Sequence, residues 1–515
     1  MIPGDTSGFK TSPVKMKLGR RPFTCFLPRR LRSCQCVVLG VAAINVIIFV
    51  TVFQGTAPRR AAGDGSAQIR GLLDAGDYAV SSRLTAGQTK YRNRLIVDNA
   101  AERRFTGEIS EKTLCGYRTT SYIFNIPITL NQDPFEEYAK SMQCLADDNA
   151  ALFSGMFAAF RNAVIDPSLG TSKRKGGELM DEVWDQKESD EYFHLSSGYF
   201  KIPCRRKPKM YFKNKDHLVQ WANSLECYFD NPPTDITIRD FTLAIQRYEY
   251  VNLYHTMTDF YNAFVLMLLF GVRPSKMNIL FVDTHPKGHL DTVWSTLFGK
   301  IIRAGHLNKP VLFHSLGWGM LGYFSPLNEH SRKAVPYLEE FREFFLTQHN
   351  VSTSHQLDCK KVNVLFIWRR DYVAHPRNKQ GSVVRKFANE EEMLEQTQKT
   401  LGGTANVQGF QLDLMSMKDQ LEVVSKCDIL VGMHGAGLSH TLFLPPTSGV
   451  LELKPQYSPS SLLHFEAMAR WRQLPFSLWH NTESSNEQKE HRTYIPPLDL
   501  DEEVKKIYSK ICGTG

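Results

Sequence analysis

Beyond its first sixty residues the chain has no excess of charge of either sign: 52 basic and 52 acidic side chains balance over residues 61–515. The net charge of +9 resides in the first sixty residues, where ten Lys and Arg stand against one acid, Asp5. A protein that grips a phosphate backbone needs its basic excess on the folded part, so nucleic-acid binding is excluded. No internal repeat is visible. The seven cysteines beyond residue 100 show no CxxC or Cys/His spacing suited to zinc. The glycine-bearing turn at residues 434–437 carries no GxGxxG and follows a late strand, not the first, which disfavours a Rossmann dehydrogenase. The end, Ile511-Cys512-Gly513-Thr514-Gly515, lacks a KDEL-type signal and argues against a soluble resident of the endoplasmic reticulum. What is present is ordinary globular composition, 42% hydrophobic and 22% charged, which excludes wholesale disorder, collagen and coiled coil. The 515 residues suffice for two to three domains at ~100–200 residues each.

One long charge-free run stands near the start. Cys36–Phe53 reads CVVLGVAAINVIIFVTVF, roughly 27 Å as a helix, enough for a thin bilayer. Eight basic residues precede it and only Arg59 and Arg60 follow closely, which keeps the N-terminal side cytosolic. A cleaved signal peptide is the alternative, disfavoured by the long polar leader and the lack of a small-x-small cleavage site. The expected order is a cytosolic tail (1–35), a signal anchor (36–53), a Gly-, Ala- and Ser-rich stem (54–104) and a lumenal folded part. The short span suits the early secretory pathway.

Cys115, Cys144, Cys204, Cys227, Cys359, Cys427 and Cys512 then lie in an oxidising lumen, and an odd number leaves one unpaired in the chain. Cys427, beside an apolar run, is expected as a buried thiol. Cys115–Cys144 and Cys204–Cys227 are the sequence-near pairings. Asn350-Val351-Ser352 is a glycosylation sequon on a polar stretch.

Residues 105–355 mix strands and helices. Phe241–Glu249 alternates like a strand, Leu253–Phe270 reads as a core helix capped by Asn252, and Met277–Val282 and Pro310–His314 read as strands. Residues 356–515 alternate more regularly. Strands are expected at Lys361–Trp368, Val407–Leu412, Asp428–Gly432 and Gly449–Leu453. Helices are expected around Asn389–Thr400, after Ser416, from Leu438, and at Asp499–Ile511. That alternation means a parallel sheet with right-handed crossovers. Asp499-Leu500-Asp501 resembles a metal-binding DxD, but it opens a helix, so N-capping is expected of it.

His434-Gly435-Ala436-Gly437 sits between a buried strand and a helix start, where free N–H groups and small residues suit a phosphate. A tight turn needing only small residues is the alternative. Arg369 and Arg370 directly follow a strand, at the edge where α/β sheets bind ligands, and Arg385 and Lys386 precede the next helix. Two basic clusters aimed at the crevice of a neutral domain suit a diphosphate. Glu452 in the following strand is a candidate for ribose hydroxyls, or else faces solvent.

VGMHGAGLSHTLFLPP (431–446) with GVLEL (449–453) resembles the C-terminal domain of glycosyltransferase family 61. RYEYVNLYHTMTDFYNAF (247–264), RRDYVAHPR (369–377), MSMKDQ (415–420) and FEAMARWR (465–472) are more specifically similar to the plant-type β-1,2-xylosyltransferases of that family. The likeness runs from about residue 200 to the end. It implies the GT-B arrangement, two Rossmann-like domains facing a cleft, with the donor held by the C-terminal domain. It also implies inversion at the sugar carbon, no metal or other cofactor, UDP-xylose as donor and an N-glycan as acceptor in the Golgi. Protein O-GlcNAc transfer and an inactive membrane-anchored carbohydrate-binding module are the rivals. An inverting transferase needs a base for the acceptor hydroxyl. His255 and Asp259 lie four apart on one helix face, and the resemblance favours Asp259 as base, with His255 as its partner or the base itself. Glu249 is a third candidate and Asp283 a weaker one.

Overall fold

The computed structural model describes residues 142–513, apart from 148, 185, 213–216 and 321. The expected tail, membrane span, stem and Cys115–Cys144 pairing lie outside these residues. Among the described residues no helix is long and apolar enough to cross a membrane.

The first of two principal sheets starts as an antiparallel meander, β1 (Met142–Leu145), β2 (Ala150–Phe153) and β3 (Phe157–Ile165). Four later strands, β4 (Thr242–Ile245), β5 (Asn278–Phe281), β6 (Ile301–Arg303) and β7 (Val311–Trp318), stand in the order β6-β5-β4-β7, all parallel. β3 closes on β7 antiparallel. Every residue of β4 and β5 is buried, as expected of parallel strands covered on both faces. The strand expected over 241–249 therefore stops at Ile245, and Gln246–Glu249 leave the sheet at its carboxyl edge.

Helix α1 (Leu253–Leu269) begins where the Asn252 side chain accepts the N–H of Tyr254 at 3.0 Å. It buries every residue except His255 and Leu268. Such a helix is apolar nearly all round because it is packed on all sides. Helix α2 (Leu338–Gln348) joins it through Phe260 and Phe345, and Phe345 in turn stacks on Phe443 with centroids 4.5 Å apart. The apolar core thus crosses the boundary drawn at residues 355 and 356.

The second sheet holds β8 (Asn363–Ile367), β9 (Asn406–Phe410), β10 (Ile429–Met433), β11 (Gly449–Lys454) and β12 (Phe476–His480). All are parallel, in the order β9-β8-β10-β11-β12. Helices α3 (Glu390–Thr400), α4 (Met417–Val424), α5 (His464–Trp471) and α6 (Pro497–Cys512) belong to this half. Ser416 caps α4 as expected, its Oγ accepting the N–H of Asp419 at 3.2 Å. Asp499 does not cap α6. Pro496 holds that position, and Asp499 accepts the indole N–H of Trp479 at 2.9 Å.

Cys204 pairs with Cys227 as expected, and Cys427 is a free, buried thiol. Cys359 pairs with Cys512, tying the segment ahead of β8 to the end of α6. Their 153-residue separation left no local signal in the sequence. Asn350 is exposed just beyond α2, so its sequon is accessible.

Candidate active site

In the second sheet the first strand, β8, has β9 on one side and β10 on the other. The winding therefore reverses between β8 and β10, which opens a crevice at their carboxyl ends. Arg369 follows β8 and His434-Gly435 follow β10, so they form the two lips of that crevice. They touch: a Cβ on Gly435 would lie 2.3 Å from Arg369 Nη1. Glycine is needed there for close approach, since its φ of 168° is ordinary extended backbone. The helix expected from Leu438 is a 3₁₀ helix, Ala436–Phe443.

Arg369 donates from Nε to the Val384 carbonyl at 3.1 Å, and neither Arg369 nor Arg385 makes an ion pair among the described residues. Burial and the neighbouring Arg385 guanidinium push Arg369 down to about 10. Burial also lowers Arg385, whose Nε has no partner among the described residues. The charges of Asp413 on Arg369 and Glu452 on Arg385 offset this only in part, and two partly buried guanidiniums without an ion-pair partner have the chemistry that suits a polyanion.

The other candidates on this side are differently placed. Lys386 is buried and its Nζ meets both Asp371 oxygens at 3.0 Å, so its charge is neutralised instead of standing with the two arginines. Glu452 is 1% exposed and faces no solvent. Its carboxylate binds Nδ1 of His434, which fixes the imidazole at the head of the glycine loop.

On the facing side, Glu249, His255 and Asp259 lie close in the chain but at different depths. Glu249 is half-buried, and its Oε1 accepts the N–H groups of Tyr250 at 2.8 Å and Val251 at 3.3 Å. Its charge reaches His255 on α1, and Tyr372 and His375 on the arginine-bearing loop of the other half. His255 is half-buried; burial lowers its proton affinity and Glu249 opposes that shift. Asp259, one turn further along, is enclosed. Burial raises its carboxyl well above the usual range, and Oδ2 has no partner among the described residues. Only 2% of Asp259 is exposed in this conformation, whereas His255 on the same helix face is half open, so the burial pattern favours His255 over the Asp259 expected as leading base. Asp283 is spent on Arg247, which it binds through both oxygens at 2.7 and 3.1 Å.

Two residues that sequence reasoning missed bridge the sides. His330 Nε2 lies 2.9 Å from Tyr254 Oη and 3.1 Å from His464 Nδ1. His464 stacks on Tyr254 at 4.6 Å and lies 5.6 Å from the His434 ring. Burial and its histidine neighbours His330, His434 and His255 push His464 down to about 3. His464 directly precedes the FEAMARWR block, a signal that was available; His330 had none. Arg377 adds a further link, donating to buried Glu191 at 2.8 Å.

Comparison with known proteins places the chain among glycosyltransferases. The profile of the family described as Glycosyltransferase 61 matches residues 253–451, which run from α1 through the glycine loop into β11. The chain is 29% identical to Beta-1,2-xylosyltransferase RCN11 of Oryza sativa subsp. japonica, over 61% of its own length and 65% of that protein. It is 30% identical to Beta-1,2-xylosyltransferase of Arabidopsis thaliana, over 61% of its own length and 71% of that protein. An EGF domain-specific O-linked N-acetylglucosamine transferase of Xenopus laevis is 25% identical, over 58% of the chain and 55% of that protein. With a matching family profile over residues 253–451 and a relative 30% identical that is covered over 71% of its length, the chain belongs to glycosyltransferase family 61.

Proposed function

We propose that the protein is an inverting, GT-B-type glycosyltransferase that moves xylose from UDP-xylose to the core β-mannose of N-glycans in β-1,2 linkage. In this reading residues 36–53 anchor it in the Golgi membrane with the catalytic part lumenal, and Asn350 carries a glycan. The observation that carries it is the pair of unpaired arginines, Arg369 and Arg385, against the His434–Gly437 loop at a switch point, opposite His255 and Glu249.

The chemistry follows from those groups. The acceptor hydroxyl oxygen attacks C1 of the xylose from the face opposite the diphosphate, and the C1–oxygen bond to UDP breaks with its electron pair leaving on the diphosphate. Arg369 and Arg385 stabilise the developing charge, the work a divalent cation does elsewhere. His255, neutral because burial disfavours its cation, takes the hydroxyl proton, and Glu249 stabilises the resulting imidazolium.

A second reading, GlcNAc transfer to a protein hydroxyl, is supported by the likeness to the Xenopus protein, at lower identity and coverage. The two separate in one assay offering UDP-xylose and UDP-GlcNAc with N-glycan and folded-domain acceptors. The expected result is xylose on the N-glycan, undiminished by EDTA. GlcNAc on a protein hydroxyl would replace the first reading with the second.

A further inference from the structure

The first sheet has a switch point of its own. Its first parallel strand, β4, has β5 on one side and β7 on the other, so the winding reverses between β4 and β7. Tyr248 leaves the carboxyl end of β4 and Tyr323 follows that of β7. Their rings meet edge to face with centroids 4.4 Å apart. The His255 ring lies 5.0 Å from Tyr248 and 6.2 Å from Tyr323. Tyr323 is 49% exposed, a large ring turned to solvent beside the proposed base.

The backbone is shaped to hold it there. A Cβ on Gly322 would come 2.7 Å from Thr258 Oγ1 and 2.9 Å from Asp259 Oδ1, so only glycine lets this turn lie flat on α1. The Gly322 carbonyl accepts from Asn328 Nδ2 at 2.8 Å and from the Ser325 N–H at 3.0 Å. Enclosed Asp259 thereby has a place as the floor under this turn.

We infer that Tyr323 and Tyr248 form the subsite for the acceptor pyranose, whose C–H face packs on the exposed Tyr323 ring beside His255. The inference rests on the sugar-transfer reading above and adds the acceptor residues to it. A pyranose pairs an apolar face with a rim of hydroxyls, and a tyrosine pair offers ring faces with phenol hydroxyls at their edge. A phosphate finds nothing here, because Arg247, the buried cation of this edge, is spent on Asp283 and Asp291. A protein surface would need far more than one exposed ring.

The test is binding, without turnover. An N-glycan oligosaccharide carrying the core mannose, and separately UDP, are titrated into the full chain by calorimetry, with saturation-transfer NMR for weak binding. Tyr323→Ala is expected to weaken the glycan roughly 10-fold or more and leave UDP unchanged, while Tyr323→Phe keeps both. Unchanged glycan affinity in Tyr323→Ala overturns the subsite. An equal loss in Tyr323→Phe assigns the effect to the hydroxyl and overturns stacking. A wild type that binds UDP yet ignores the glycan overturns the acceptor reading itself, and the subsite with it.

Discussion

The carboxyl edges of the two sheets both bury arginine, and they use it in opposite ways. On the first sheet Arg247 is wholly buried and finds a carboxylate in each direction: Asp283 on one side, Asp291 at 2.9 Å on the other, with Arg303 sharing Asp291 at 2.5 Å. On the second sheet Arg369 and Arg385 repel each other, and neither forms an ion pair with an acid among the described residues, although the charges of Asp413 and Glu452 reach them. Desolvating a charge is costly unless partners offset it. The first cluster is therefore complete in the protein alone, whereas the second keeps two guanidiniums without an ion-pair partner, which the proposed function fills with the diphosphate. Buried arginine marks neither role by itself; pairing decides which.

Arg247→Met tests this contrast hardest. It leaves Asp283 and Asp291 short of a partner in the interior, and a loss of roughly 3–5 kcal/mol of stability is expected. Thermal unfolding checks it, and an unchanged midpoint would show that the network is dispensable.

His255→Gln asks whether the first edge has a reactive spot beside its structural one. The rate should fall roughly 10²-fold with UDP affinity unchanged. A base must be unprotonated, and burial lowers the proton affinity of His255. Wild-type kcat/KM should therefore rise with pH through an acidic limb below the usual histidine range and level off before neutrality. The limb should vanish in His255→Gln; its survival there would hand the base role to Glu249.

Arg369→Ala is the mirror image of Arg247→Met, with the smallest effect of the three. Removing an unpaired, desolvated charge should leave the thermal midpoint unchanged or raised, while UDP binding weakens roughly 10-fold or more. A midpoint that drops as far as that of Arg247→Met would erase the distinction between the two edges.

Much of the second half was legible because parallel strands covered on both faces are uninterrupted apolar runs. Lys361–Trp368 and Gly449–Leu453 matched β8 and β11 to within a residue or two. The glycine loop and Arg369 were legible for the same reason: whatever follows such a strand lies at the sheet's carboxyl edge. Lys386 was read as a donor-site cation because its partner, Asp371, belongs to a loop whose path no periodicity describes. Spacing leaves Glu452 open between a ribose ligand and a solvent-facing strand residue, because strand alternation does not reveal that a histidine eighteen residues earlier binds its carboxylate. The first half was less legible. Its sheet mixes directions, and β3 pairs with a strand some 150 residues later in the chain.

The sequence by itself determined the alternation of strand and helix, the face shared by His255 and Asp259, and the chemistry present at each strand end. Those properties follow from local spacing, because a helix repeats every 3.6 residues and a strand every two. Only the tertiary structure decided depth and pairing. Gly322 lies on Asp259 from 63 positions away and encloses it, while His255, one turn earlier, stays half open. Arg247 meets acids and Arg369 does not, although each follows a parallel strand by two residues. Burial and ion pairing depend on which segments arrive from elsewhere in the chain, and that is set by how the layers close on one another.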